Sequence, residues 1–195
     1  MDPGRHSGRA TAVLVAAIVL ALSACSSKLD DAEPPAKPAT RASPAPPISA
    51  EQQAVVDKAW ANYLKLNEIY VQASQTGAYK WDNDVAKRPM YPYAAGNFLA
   101  YLERDLSLMQ EKGLVRTGAP TVTVRRVVSV SPTSIIVESC VDDSGTDTIN
   151  KATKKSVAVP SQNKKYPVTL RAGLYPDGQW RWVESYADQI GRAHV

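Results

Sequence analysis

The apolar residues Val55, Val56, Ala59, Trp60, Tyr63, Leu64, Tyr70 and Ala73 recur mostly at steps of three and four. That period lays one stripe along a helix and predicts a helix over residues 50–76. Ser49, with Gln52 three positions on, has the spacing of a capping box, and Gly77 is a natural stop. Residues 78–92 are polar with two prolines and read as a loop with short turns. Residues 93–96 suggest a short turn of helix. A second stripe follows, formed by Phe98, Leu99, Leu102, Leu106 and Met109, with Asn97 as expected cap and residues 111–113 as its end. After Pro120 the period falls to two. Residues 121–130, TVTVRRVVSV, are β-branched and alternating, and 135–141, 166–175 and 179–186 read the same way. Turn residues separate them at 131–134, 142–145 and 176–178. Residues 146–150 and 156–159 suggest a short hairpin around 151–155. Helices first and an antiparallel meander after give an α+β fold: N-terminal helices packed on a curved antiparallel sheet.

The first 48 residues have a different pattern. Arg5 and Arg9 precede an uncharged apolar run, TAVLVAAIVLAL, over 11–22. It is shorter than the roughly 20 residues a membrane span needs, and the arrangement is that of an export signal. Leu22-Ser23-Ala24-Cys25 then resembles the lipobox of bacterial lipoproteins. By that resemblance residues 1–24 are removed and Cys25 carries the lipid, anchoring the chain on the outer face of the cell membrane. An ordinary secretory signal with an incidental cysteine is the plainer alternative. Residues 25–48 form a Pro/Ala-rich tether, with six prolines among the 23 residues 26–48. Extended at about 3.1 Å per residue, it reaches up to ~70 Å. At the other end, residues 190–195, IGRAHV, back-translate to ATC GGA AGA GCA CAC GTC, a common short-read sequencing adapter. The expectation is that these residues are read-through and that the native tail is missing. Residues 49–189 are then the folded domain. Of the two histidines, His6 leaves with the signal and His194 belongs to the suspected read-through, so the domain holds none.

Composition sharpens the domain boundary. All fourteen Trp, Tyr and Phe residues lie between Trp60 and Tyr186, so the core is built from about residue 49 onward. The 195 residues are 44% hydrophobic and 22% charged with net charge +4, which excludes a multi-span membrane protein, collagen and a wholly disordered chain. Within 49–189 the charges nearly balance, 17 basic against 15 acidic. The richness in Ala and Pro fits a high-GC actinobacterial genome.

The order of elements resembles the nuclear transport factor two-like fold, also called cone-shaped or polyketide-cyclase-like, and small actinobacterial lipoproteins that carry it. The residues that carry the resemblance are the long first helix, Tyr93-Ala94-Ala95-Gly96, Lys112-Gly113-Leu114-Val115, Cys140-Val141-Asp142-Asp143-Ser144 and Trp180-Arg181-Trp182. It covers about 49–188. It implies a cone with an interior pocket, and in enzymes of this fold an acid in that pocket serves as the base. Glu138 and Glu184 are the acids inside predicted strands and so the candidate bases, although an outward, solvated glutamate is the plainer reading of each. Relatives often place a second cysteine near the C-terminus, which this chain lacks. With Cys25 lipidated, Cys140 is left to pair with a cysteine of the missing tail, to pack as a free thiol, or to react as a nucleophile. Its strand face is expected to hold Ile136 and Glu138.

Further chemistry is constrained by what is missing from the domain. Without histidine a Ser-His-acid triad is excluded and the usual zinc ligands are too few. No Gly-rich phosphate loop is present, and no metal or cofactor is expected. Asp82 with Asp84, and Asp142 with Asp143, read as turn formers rather than calcium ligands. Trp60, Tyr63, Tyr70, Trp180 and Trp182 either line an apolar ligand pocket or form plain helix-on-sheet core. Trp180 and Trp182 are expected to share a face with Glu184. Lys151, Lys154, Lys155, Lys164 and Lys165 cluster, suiting a solvated hairpin or contact with anionic lipid or wall polymer. Nucleic acid is not an expected partner outside the cytoplasm. The leading expectation is a lipid-anchored, non-catalytic envelope protein that binds a partner protein or an apolar ligand. The alternatives are a small isomerase, dehydratase or cyclase using a strand glutamate, and a prophage-encoded surface lipoprotein that excludes other phages.

Overall fold

A computed structural model describes residues 47–159 and 164–187. Cys25, most of the 25–48 tether and residues 190–195 lie outside the described residues. Helix α1 runs Ala50–Thr76 and begins on the expected capping box: the Gln52 amide donates to Ser49 Oγ at 3.2 Å and the Ser49 amide to Gln52 Oε1 at 2.9 Å. It ends at Gly77, whose φ of 67° is the left-handed conformation that a C-terminal cap requires. Its buried stripe is Val56, Ala59, Tyr63, Leu66 and Ala73. Leu64, expected on that stripe, is 49% exposed, whereas Leu66 is 1% exposed. The spacing explains the exchange. Leu66 stands three and seven positions from Tyr63 and Ala59, while Leu64 follows Tyr63 directly and is turned about 100° away.

The loop after α1 contains a single 3₁₀ turn, Val85–Lys87, and a further turn before the second helix. Helix α2, Gly96–Glu111, buries all five expected residues, Phe98, Leu99, Leu102, Leu106 and Met109. Asn97 does not cap it. The cap position is Ala95, whose side chain makes no capping bond. The start of α2 is fixed by the sheet instead: the Ala95 amide donates to the Trp182 carbonyl and the Trp182 amide to the Tyr93 carbonyl, both at 2.9 Å.

Six strands follow: β1 Leu114–Thr117, β2 Thr121–Val130, β3 Ser134–Asp142, β4 Asp147–Asn150, β5 Lys165–Leu174 and β6 Trp180–Ala187. Strands β2-β3-β5-β6 form an antiparallel meander, and β1 pairs with β4 in a separate two-stranded sheet. The expected hairpin of 146–150 with 156–159 is therefore corrected. Residues 147–150 pair mainly with β1, and Ser156 adds only an isolated bridge to Ile149. Strand β1 was hidden because four residues directly after a helix carry too little alternation to be read as a strand.

The chain crosses between the two sheets three times: at Gly118, at Gly145 and again between β4 and β5. A Cβ on Gly118 would stand 2.0 Å from the Gly145 carbonyl oxygen, and Gly118 has a φ of 69°. Only glycine fits there. The large sheet is bent by β-bulges. Pairing slips once at Arg125 and again at Val128 in β2, and once at Val183 in β6. One face of the sheet, with Ile135, Val137, Val141, Val168, Leu170 and Ala172, forms a single core with the buried stripes of both helices. The arrangement is thus α+β, two helices packed on a curved antiparallel sheet.

Candidate functional site

Between the helices and the core face of the sheet a cleft of about 880 Å³ remains open. Its walls come from residues the helices and strands already turn inward: Tyr63 and Leu66 of α1, Phe98 and Leu102 of α2, Val141 of β3 and Val168 of β5. The small β1–β4 sheet closes one side and supplies polar groups. Arg116 of β1 donates from Nη1 to the Tyr70 hydroxyl at 2.7 Å and from Nη2 to Asp105 Oδ2 at 3.2 Å. The Tyr70 hydroxyl donates in turn to Asp105, and the guanidinium lies 5.2 Å from the Tyr70 ring centroid. Nearby, the Tyr166 hydroxyl donates to Asp143 Oδ2 at 2.8 Å.

Electrostatics follow from burial and pairing. Burial pushes the Tyr63 phenol up to about 12, and the Asp143 charge adds to it. Tyr70 and Tyr166 are also shifted upward, chiefly by burial, so all three phenols stay neutral, and Tyr70 and Tyr166 donate to carboxylates. Burial on its own lowers the Arg116 pKa, but Tyr70 and Asp105 outweigh it and the net shift is upward. The cleft is therefore a mixed space: aromatic and aliphatic side chains line it together with Asn67, Asn97, Asp143, Asp147 and Lys164, and one internally matched ionic cluster stands at its side.

The expected site residues divide. Tyr63 and Tyr70 line the cleft. Trp60 stacks on Tyr63 with ring centroids 4.7 Å apart, and Trp182 meets both edge-on at 6.0 and 5.3 Å. Trp182 also donates from Nε1 to the Ala59 carbonyl at 3.0 Å. Trp60, Trp180 and Trp182 do not line the cleft and are core. Glu184 does not share a face with Trp182, contrary to expectation. The bulge at Val183 sets Trp182 against Ala172 and Glu184 against Arg171, on opposite faces of β5. Arg171 donates to Glu184 at 2.8 and 2.5 Å. That bond, then one from Tyr186, holds the carboxyl at about 2. Glu138 lies on the outer face with Ile136 and Cys140, as β3 alternation predicts. It is bound by Arg125 at 3.2 Å and Arg126 at 2.5 Å. Glu138 is turned away from the cleft, whereas Glu184 is among the residues that line it and is tied to Arg171.

Solved structures with a similar arrangement include the intermembrane-space region of the chloroplast protein ARC6. That match has 13% identity, covers 73% of this chain and 98% of that one, and has a TM-score of 0.44. A nuclear transport factor 2-like superfamily protein from Salmonella enterica matches at 9% identity, 72% and 96% coverage and TM-score 0.41. A ketosteroid isomerase-like protein from Erwinia carotovora matches at 15%, 74% and 99%, with TM-score 0.40. No family model matches the chain, and no curated protein does. The likeness is one of fold, and the functional argument rests on the cleft itself.

The remaining candidates have local roles. Asp82 accepts from the Asp84 amide and Asp84 from the Ala86 amide, as turn formers do. Asp142 accepts from the Ser144 amide and pairs with Lys165 at 2.8 Å. Asp143 does more than its turn, since it reaches the cleft. Cys140 is half-buried and free, and the tail expected to hold its partner lies outside the described residues. Lys151 and Lys164 donate to the Thr76 and Thr146 carbonyls at 3.4 and 3.1 Å. The Arg116–Tyr70–Asp105 cluster escaped the sequence reading because its members come from three elements, one of them the unforeseen β1.

Proposed function

We propose that this chain is a lipid-anchored binding module held outside the cytoplasm by Cys25, whose cleft takes up a small, largely apolar molecule. The cleft carries the reading. Its volume of about 880 Å³ falls within the range of about 300–1,000 Å³ usual for small-molecule sites, and aromatic and aliphatic side chains line it with polar ones set among them. The anchor rests on the export signal and the lipobox-like LSAC, and a partner protein on the envelope surface remains the companion reading. An isomerase or dehydratase reading is supported less well. Glu138 is held by two arginines on the outer face, Glu184 lines the cleft but is held by Arg171, and a carboxyl at about 2 is a weak base at neutral pH.

The test is native mass spectrometry of the full chain taken from membranes in mild detergent. A bound small molecule is expected, and Asn67→Trp, which fills the cleft from α1, is expected to release it while the protein stays folded. A chain that carries nothing and gains no thermal stability from a panel of apolar compounds overturns the ligand reading.

A further inference from the structure

We infer that the cleft selects an uncharged ligand, one with an apolar body that carries neutral hydrogen-bonding groups such as hydroxyl, carbonyl or amide. The inference rests on the ligand-binding reading above and adds the chemical class. An arginine in a cleft ordinarily suggests a carboxylate or phosphate partner. Here Arg116 already has one. Its two terminal nitrogens donate to Tyr70 and Asp105, and the Asp105 carboxylate balances its charge at 3.2 Å. Glu184, whose strand borders the cleft, is balanced in the same way by Arg171.

The other charged groups at the cleft offer no better partner to an ion. The Lys164 ammonium donates to the Thr146 carbonyl, and two carboxylates, Asp143 and Asp147, line the same cleft. No net cation is left to draw an anion. Each carboxylate already accepts hydrogen bonds that a cation would have to share. Asp143 is covered by the Tyr166 hydroxyl at 2.8 Å, and Asp147 by the Thr148 amide at 2.7 Å and the Ser156 hydroxyl at 2.8 Å. An anionic ligand would lose its hydration against Leu66, Phe98, Leu102 and Val168 without a free counter-charge to replace it, and a cationic one would have to compete with the donors already on Asp143 and Asp147.

What the cleft does offer is neutral. Asn67 of α1 and Asn97 at the start of α2 both line it, and neither amide has a protein partner among the described residues. Each presents a donor and an acceptor. Two amides on opposing helices, above an apolar floor, suit a molecule that hydrogen-bonds without ionising.

Four probes with one body separate the possibilities: naphthalene, naphthalene-2-methanol, naphthalene-2-carboxylate and naphthalen-2-ylmethylammonium. Each is titrated into the full chain and followed by its fluorescence. The alcohol is expected to bind about tenfold tighter than either ion, a difference that corresponds to one well-made neutral contact against an uncompensated charge. Asn67→Leu should weaken the alcohol and leave naphthalene unchanged. Asp105→Asn keeps the shape of the cluster but frees Arg116, and it should strengthen the carboxylate about tenfold relative to the alcohol. Equal or tighter binding of either ion by the native chain, or an unmoved ratio in Asp105→Asn, overturns the inference and leaves the ligand-binding reading standing. Failure of all four probes to bind overturns both.

Discussion

Glu184 owes its chemistry to its neighbours rather than to its place in the sequence. Two bonds from Arg171, followed by one from Tyr186, hold its carboxyl at about 2, below the ordinary glutamate value of 4.5. A depressed folded-state pKa contributes stability that is present above the unfolded value and is lost as pH falls toward the folded one. Glu184→Gln is therefore expected to reduce stability by a constant amount above about pH 5. The gap to the native chain should close between pH 4.5 and about 2. Urea denaturation of both proteins across that range checks this, and a gap independent of pH removes the assignment. At this scale the sequence was informative wherever the environment is local. The Ser49–Gln52 cap, the Gly77 stop and the Asp82 and Asp84 turns each depend on residues within four positions, and all are present. The Arg171–Glu184 pair spans 13 positions and depends on a register no local pattern encodes.

Among the elements, the crossing of the two sheets places the hardest constraint. Gly118 and Gly145 face each other there, yet they differ. Gly118 has a positive φ and no room for a Cβ, while nothing lies within 4 Å of a Cβ on Gly145. Gly118→Ala is expected to cost about 2–5 kcal/mol through strain and overpacking, and Gly145→Ala about 0.5 kcal/mol either way. Equilibrium denaturation of the pair checks it; similar losses at both positions would show that the crossing is not the constraint. The strands themselves were legible because β-branched alternation marks 121–130, 135–141, 166–175 and 179–186. The faces were legible only where no bulge intervenes. In β3 alternation holds throughout, so Cys140, Glu138 and Ile136 fall together as expected. In β6 one extra residue reverses the expectation for Glu184. A bulge depends on the partner strand, which a single strand's sequence does not record.

For the molecule as a whole, the helices-then-meander order made the α+β architecture readable, and the cleft was not. A cleft is the space left when packing is incomplete, and it depends on β1, which pairs with a strand distant in the chain, Leu114 with Asn150 and Thr117 with Asp147. The proposed anchor is a separate matter of address. Cys25→Ser is expected to abolish incorporation of labelled fatty acid and to move the chain from the membrane fraction to the soluble or secreted fraction. The cleft's ligand binding should be unchanged, since Cys25 precedes the folded residues. Labelling that persists in the variant counts against lipidation at this position.

The extra residue in β6 also says something about how such a cleft changes over generations. Val183 has no partner in β5, while Trp182 and Glu184 on either side keep theirs. Losing one codon there would leave every paired residue opposite its present neighbour and the aromatic core intact. What it would remove is the local bend. The width of the cleft is thus open to the smallest in-frame deletion a gene can undergo, and descendants of this chain have a route to a differently sized ligand that does not first require rebuilding the sheet.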